Sequence, residues 1–207
     1  MGNQIEEAKR KEAYIRAELY RFIKNAICRG LVYRETKCEF TDVIPEFPVG
    51  KERADLVVLA VKYSGRSQPY LVLETKVRAY LRPGPSAARA TRAARSYAEK
   101  LDMLPSYFFA TYDGWTLFVF RDISPYLIGV YGPVTSESHI ESLLMGLEEY
   151  SYKGKSDLLN NLPKPADPDF IARRVLPSVA RQFVQSRDQI PSLVESWKNA
   201  LSLGQQL

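Results

Sequence analysis

Two short runs of Val and Leu form the clearest pattern along the chain. They cover residues 53–61 and 70–77, and the segment between them contains Gly65 and Pro69. Glycine and proline are typical of turns, so the pattern predicts an antiparallel β-hairpin. Both runs also carry charged residues, which a buried strand normally excludes, and these charges therefore require an explanation.

Helical spacing of apolar residues appears before the hairpin and well after it. Residues 4–29 are predicted to form an amphipathic helix, with Gly30 as its C-terminal cap. Residues 138–150 have the same periodicity. Two aromatic-rich segments, 106–112 and 115–120, flank an Asp-Gly pair that predicts a second hairpin completing the sheet.

The C-terminal part of the chain differs in composition. Prolines and polar residues between 152 and 169 predict a connecting loop, and apolar residues after it predict amphipathic helices. We therefore expect two parts, an α/β domain over 1–150 and a linker with a C-terminal helical extension over 151–207. The extension could cover the core, form a dimer contact or hold a partner.

The charges of the first hairpin suggest chemistry. With a turn centred near Gly65 and Arg66, Asp55 lies across from about Lys76, and Glu74 is its diagonal neighbour at roughly 7–8 Å. Side chains alternate along a strand, so Glu74 and Lys76 face the same way and Thr75 faces the other. Two adjacent carboxylates repel each other, and Mg2+ or Mn2+ would relieve that repulsion. A lysine beside the metal suits phosphodiester hydrolysis; the alternative is a solvated acid-base pair.

A basic segment follows this hairpin. Proline and glycine at 83–85 break the chain, Ser86 can cap a helix, and no acidic residue occurs between Lys76 and Glu99. Arginine donates paired hydrogen bonds to phosphate, so the basic residues are predicted to bind nucleic acid, although a solvated helix face is the alternative. The arginines concerned are Arg78, Arg82, Arg89, Arg92 and Arg95.

Asp55 followed by Glu74-Thr75-Lys76 resembles the signature of PD-(D/E)xK nucleases. The surrounding residues, from Glu18 to Phe120, most resemble the N-terminal nuclease domain of type I restriction enzyme R subunits, and archaeal Holliday-junction resolvases are also similar. The resemblance implies a restriction-endonuclease-like α/β fold with a mixed central sheet flanked by helices, dependence on a divalent metal, and DNA as substrate. It also implies that Asp55 and Glu74 ligate the metal and that Lys76 serves the attacking water.

Three further positions bear on the resemblance. The family often places a glutamate on the first helix, which corresponds to Glu18 as a catalytic and metal contact; its alternative is to reach solvent from the edge of the apolar stripe. Glu39 and Glu46 are weaker competitors for that role. Ala54 replaces the proline of the signature, which contributes backbone shape and no ligand. Ala93 stands where several relatives have a glutamine, which affects substrate positioning.

Composition restricts the remaining function classes. A net charge of +5 is compatible with an anionic polymer as partner. The sole histidine, His139, argues against multi-histidine zinc sites and histidine-dependent nucleases, and the chain lacks a Walker loop for a nucleotide cofactor. The spacing of Cys28 and Cys38 fits a reducing compartment, although a disulfide is an alternative. With neither a signal peptide nor a membrane-length apolar run, we expect a cytoplasmic protein.

These features together predict a Mg2+- or Mn2+-dependent DNA endonuclease, acting in restriction, repair, recombination or viral replication. A homodimer is one arrangement that would provide two sites for two strands. The first alternative is a catalytically inactive subunit of the same fold that binds nucleic acid or assembles with a partner. The second is a protein-interaction module whose charges are solvated.

Overall fold

Seven strands form one mixed sheet in chain order within the part of the chain described by the computed structural model, residues 2–62, 65–77, 85–102, 108–121 and 126–165. Neighbouring strands are antiparallel except β4 and β5, which are parallel and connected through α2. The strands are β1 Val32–Tyr33, β2 Cys38–Val49, β3 Glu52–Val61, β4 Ser67–Thr75, β5 Phe108–Tyr112, β6 Leu117–Arg121 and β7 Tyr126–Tyr131. The helices are α1 Gly2–Cys28, α2 Pro85–Lys100, α3 Glu137–Lys153 and α4 Asp157–Asn160.

Helices cover both faces of this sheet, which confirms the predicted fold class. On one face, Leu19 of α1 and Leu147 of α3 share a buried apolar cluster with Leu56 of β3. On the other face, Ala94 and Ala98 of α2 belong to a second cluster with strand residues such as Val57, Val72 and Phe109. Alanines let α2 approach the sheet closely, and the charged end of the β3–β4 hairpin contacts α1.

The first hairpin is confirmed, but its register differs from the prediction. Val61 pairs with Ser67, so the connection covers residues 62–66 and its centre lies one to two residues before the predicted one, and a β-bulge interrupts the pairing at Val58 and Leu59. Beyond the bulge Leu56 pairs with Leu73. This register puts Asp55 directly across from Glu74, not across from Lys76.

The second hairpin is also confirmed, with a longer connection than the Asp-Gly pair suggests. Tyr112 pairs with Leu117, and Oδ1 of Asp113 accepts hydrogen bonds from the backbone N–H groups of Trp115 and Thr116 at 3.1 and 2.6 Å. This side chain orders the connection by satisfying two N–H groups that leave the ladder. Tyr112 is fully buried, whereas Trp115 is exposed.

The segment after α3 is not simply the loop predicted over 152–169. Helix α3 extends to Lys153 and ends at Gly154, which adopts a left-handed conformation with φ of 72°. Helix α4 follows, and Leu159 and Leu162 are buried in the core on the α1 side of the sheet. The domain boundary after residue 150 stays a prediction, and the helical extension over 166–207 lies outside the described residues.

Two further predictions concern the cysteines and membrane spans. Cys28 is exposed and Cys38 is buried, and both are free thiols. Burial, followed by the nearby charge of Glu148, raises the pKa of the Cys38 thiol to about 12, which keeps it protonated and unreactive. In the described part of the chain, none of the helices combines the length and apolarity needed to cross a bilayer.

Candidate active site

Three residues predicted to act together, Asp55, Glu74 and Lys76, lie together at the end of the β3–β4 hairpin. The register of the flanking Leu56–Leu73 pair puts Asp55 opposite Glu74. Lys76 Nζ is 2.8 Å from Glu74 Oε1, so these two side chains share a face as predicted. The structure therefore places two carboxylates and one ammonium within a single small site.

Asp55 is held on both of its oxygens. Oδ2 accepts hydrogen bonds from the backbone N–H and the hydroxyl of Thr75, at 2.7 and 2.8 Å. Oδ1 accepts from Arg16 Nη1 of α1 at 2.9 Å. Thr75 was predicted to face away from this site, but the ladder between β3 and β4 ends at Leu56 and Leu73, which leaves the N–H of Thr75 available to Asp55. Asp55 is thus fixed in one orientation before any substrate arrives.

Lys76 connects the sheet to the first helix. Its Nζ contacts Glu12 Oε1 at 2.7 Å as well as Glu74, and its backbone N–H donates to the carbonyl of Tyr112 at 2.9 Å. Burial alone would lower the pKa of Lys76, but the carboxylates of Glu74 and Glu12 outweigh it and raise that pKa above its ordinary value. Lys76 is therefore a permanent cation at neutral pH.

Glu74 has the most perturbed carboxyl group of the site. Its exposed fraction is 8%, and burial together with the charge of Asp55 raises its pKa to about 7, against the opposing effect of Lys76. Burial raises the pKa of the Tyr97 phenol in α2, and the nearby charge of Glu74 is the next largest cause of this increase. A buried carboxyl group next to a second carboxylate is the arrangement that a positive ion stabilises.

The glutamate of α1 that contacts the lysine is Glu12, whereas the sequence analysis favoured Glu18. Glu18 lies instead near Tyr112, where its charge adds to burial in raising the pKa of the phenol. The helical pattern identified the buried side of α1 but could not show where along the helix the sheet end crosses it. The role of Glu18 as a metal or catalytic contact remains a prediction.

Two further charged residues, Arg16 and Glu46, complete the site. Arg16 was not predicted from the sequence, and Glu46 was ranked low. Arg16 Nη1 contacts Glu46 Oε1 in addition to Asp55. The signal for Arg16 was its position four residues after Glu12, which puts both on one side of α1. Glu46 was a weak competitor because β2 could not be paired with β3 from the sequence alone.

The basic helix has its arginines on the surface. Arg89 and Arg92 of α2 are exposed, and Arg92 Nε donates to the carbonyl of Ala88 at 3.2 Å. Arg95 pairs with Glu99 at 2.9 Å, one turn further along. Arg78 and Arg82, predicted for the same DNA-binding surface, lie outside the described residues.

The donor set of the site fits a divalent cation. Four carboxylates, those of Glu12, Glu46, Asp55 and Glu74, face two cations, so the fully ionised site carries a formal charge of −2. Magnesium is commonly bound through one or two carboxylates, with water and substrate phosphate oxygens completing its coordination. Asp55 and Glu74 could supply such a pair. Across the described ranges, however, His, Cys, Asp and Glu side chains form no group of three or more that could hold a metal.

Comparison with protein-family models and with curated protein sequences gave no match. Among solved structures, the chain is similar to the type IIG restriction endonuclease BpuSI, with a TM-score of 0.45 and 13% sequence identity. The similarity covers 67% of this chain and 17% of the length of BpuSI. At this level the similarity does not bear on function, which we infer from the side chains of the site.

Proposed function

We propose that this chain is a divalent-metal-dependent DNA nuclease that hydrolyses phosphodiester bonds with Asp55, Glu74 and Lys76. The observation that supports it most is the pairing of a buried carboxyl group, Glu74, with a second carboxylate and an ammonium 2.8 Å away. Burial and Asp55 keep the ionised form of Glu74 unfavourable even with Lys76 beside it, and a bound cation would offset this. The resemblance to the PD-(D/E)xK signature indicates phosphodiester hydrolysis as the reaction. We propose that the chain cleaves DNA as an endonuclease.

Each side chain has a distinct role in this proposal. Asp55 and Glu74 would hold Mg2+ or Mn2+, which when bound polarises the phosphate and lowers the pKa of a coordinated water. Lys76 orients the attacking water and stabilises the negative charge that develops on the phosphate oxygens. Glu12 holds the lysine from the opposite side at 2.7 Å and so fixes the direction of its ammonium group.

Metal binding should weaken as the pH falls through 7. The cation needs ionised Glu74, whose pKa is about 7, so protons compete with metal below that pH. We expect the Kd for Mn2+ to rise about tenfold per pH unit between about pH 6.5 and 5, as measured by isothermal titration calorimetry. A Kd that is constant from pH 8 to 5.5 would contradict the role of Glu74.

The exposed arginines of α2 are proposed to bind the DNA backbone. Replacing Arg89 and Arg92 together by alanine should weaken duplex binding on every sequence and reduce the salt slope of log K by roughly 0.9 for each phosphate that the variant no longer neutralises. Fluorescence anisotropy at several salt concentrations measures this slope. Lys155→Ala removes a comparable exposed charge far along the chain, after α3, and should leave the slope unchanged.

Cleavage of labelled duplex, single-stranded and branched DNA with and without Mg2+ tests the proposed function. We expect products only with metal and intact Asp55, Glu74 and Lys76. DNA binding without metal-dependent products would favour the alternative, an inactive subunit of the same fold that binds nucleic acid or assembles with a partner. Ala93 and the contact of Arg16 with Asp55 are the observations that favour this alternative. A homodimer, if formed, would be visible by sedimentation in the same preparations.

A further inference from the structure

Arg16 contacts the oxygen of Asp55 that Thr75 leaves open. Its Nη1 is 2.9 Å from Asp55 Oδ1, while Asp55 Oδ2 already accepts two hydrogen bonds from Thr75. A carboxylate oxygen can accept more than one partner. A guanidinium and a divalent cation that both contact this oxygen would nevertheless lie close together and repel each other strongly. Binding of a metal at Asp55 therefore requires Arg16 to move.

Glu46 provides a place for Arg16 to move to. Arg16 Nη1 already contacts Glu46 Oε1, and the register of β2 puts Glu46 opposite Asp55, between the Pro45–Leu56 and Phe47–Ala54 pairs. A rotation of the arginine side chain away from Asp55 would leave it paired with Glu46. The guanidinium would then stay neutralised while Asp55 is released.

The backbone conformation of Glu46 is a second, independent indication that this residue has a function. Its φ is 51°, in the left-handed region, although it lies within strand β2 and is not glycine. This conformation is unfavourable for a residue with a Cβ, and such residues cluster at functional sites. The fold maintains it at the one position of β2 that faces Asp55.

We propose that Arg16 is a positioning residue that holds Asp55 in the metal-free protein and transfers to Glu46 when a divalent cation binds. This inference rests on the proposed function, because it assumes that Asp55 ligates the cation. Arg16 competes with the cation for Asp55, so the arginine sets the metal concentration at which the site fills. Glu46 acts through Arg16 and does not touch the metal.

Mn2+ binding to the full-length variants tests this transfer without any measurement of cleavage. Titration calorimetry at pH 8, where Glu74 is ionised, should give an affinity roughly three- to tenfold tighter for Arg16→Gln than for the unmodified protein, since a partly exposed competing ion pair is removed. Glu46→Gln should bind Mn2+ more weakly by a similar factor, because Arg16 is then left with Asp55 alone. Lys24→Gln, the same charge change two turns along α1, should have wild-type affinity.

The double variant separates transfer from direct ligation. If Glu46 only receives Arg16, Glu46→Gln has no further effect in the Arg16→Gln background, whereas a ligand would show an additional loss of affinity. Unchanged or weaker binding by Arg16→Gln, an equal effect of Lys24→Gln, an additive loss in the double variant, or no Mn2+ binding at all would each overturn the proposal. If Arg16→Gln does not fold, Arg16→Met replaces it in the single and the double variant, with the same expected and contradicting results. A protein that binds Mn2+ as expected but never cleaves DNA would instead overturn the proposed function alone.

Discussion

Replacing Lys76 by alanine is expected to lower kcat for Mg2+-dependent DNA cleavage by about 10²–10³-fold, the usual loss when one preorganised donor to a transition-state charge is removed. Lys76 is the permanent cation of the site, held 2.8 Å from Glu74 and 2.7 Å from Glu12. Its contribution appears only as negative charge develops on the phosphate, so KM for DNA should change little. Single-turnover kinetics with saturating Mg2+ measures the effect.

The matched control for this substitution is Lys100→Ala. Lys100 also pairs with a glutamate, Glu52 at 2.5 Å, but on the surface at the end of α2. It should retain nearly full kcat. The assay should be run at pH 7 and pH 9, because loss of Lys76 also raises the pKa of Glu74 further and could protonate it. Recovery of activity at pH 9 would show that the lysine acts only by keeping Glu74 ionised, which contradicts its direct role.

Glu74→Gln is expected to stabilise the metal-free protein while abolishing metal-dependent cleavage. Because burial and Asp55 raise the pKa of Glu74 to about 7 from an ordinary 4.5, the folded state binds a proton more tightly than the unfolded state. Glu74 therefore favours folding most at low pH, and this contribution is lost as the pH rises from 4.5 to 7. The shift corresponds to about 3 kcal/mol of unfavourable charge above pH 7, and a neutral amide should recover about 1–3 kcal/mol of it.

Urea unfolding in EDTA at pH 5 and pH 8 measures this effect. The unmodified protein should lose stability between these values more steeply than Glu74→Gln does. Glu149→Gln is the matched control with the opposite pKa shift. Hydrogen bonds from Ser156 and Lys153 lower the pKa of Glu149, whereas the pKa of Glu74 is raised. Glu149→Gln should be less stable than the unmodified protein at pH 8. A destabilised Glu74→Gln at pH 8 would mean that Lys76 outweighs burial and Asp55 at this site.

The site residues whose proximity could be predicted from the sequence all belong to one hairpin. Asp55, Glu74 and Lys76 follow from two apolar runs, one turn and strand alternation, all of which are local. The exact register was wrong because the turn is centred at residue 64 and not between Gly65 and Arg66, and the bulge at Val58 and Leu59 corrects only one residue of this difference. The shift places Asp55 closer to Glu74 than predicted, which strengthens the interaction between the two carboxylates.

Contacts between distant elements could not be predicted. The choice of Glu12 over Glu18, and the presence of Arg16 at Asp55, depend on where α1 crosses the end of the sheet. Strand β2 contains Pro45 and Pro48, and proline is unfavourable in a central strand. They are tolerated because β1 pairs only with residues 38 and 39, which leaves the rest of β2 as an edge.

Crystals of the protein soaked in Mn2+ at pH 8 show through anomalous scattering whether Asp55 and Glu74 hold a metal. We expect one anomalous peak in contact with carboxylate oxygens of both Asp55 and Glu74, with Lys76 Nζ beside it. A map without a peak at these two residues, from crystals that bind Mn2+ elsewhere or not at all, would contradict the metal-dependent nuclease proposed here.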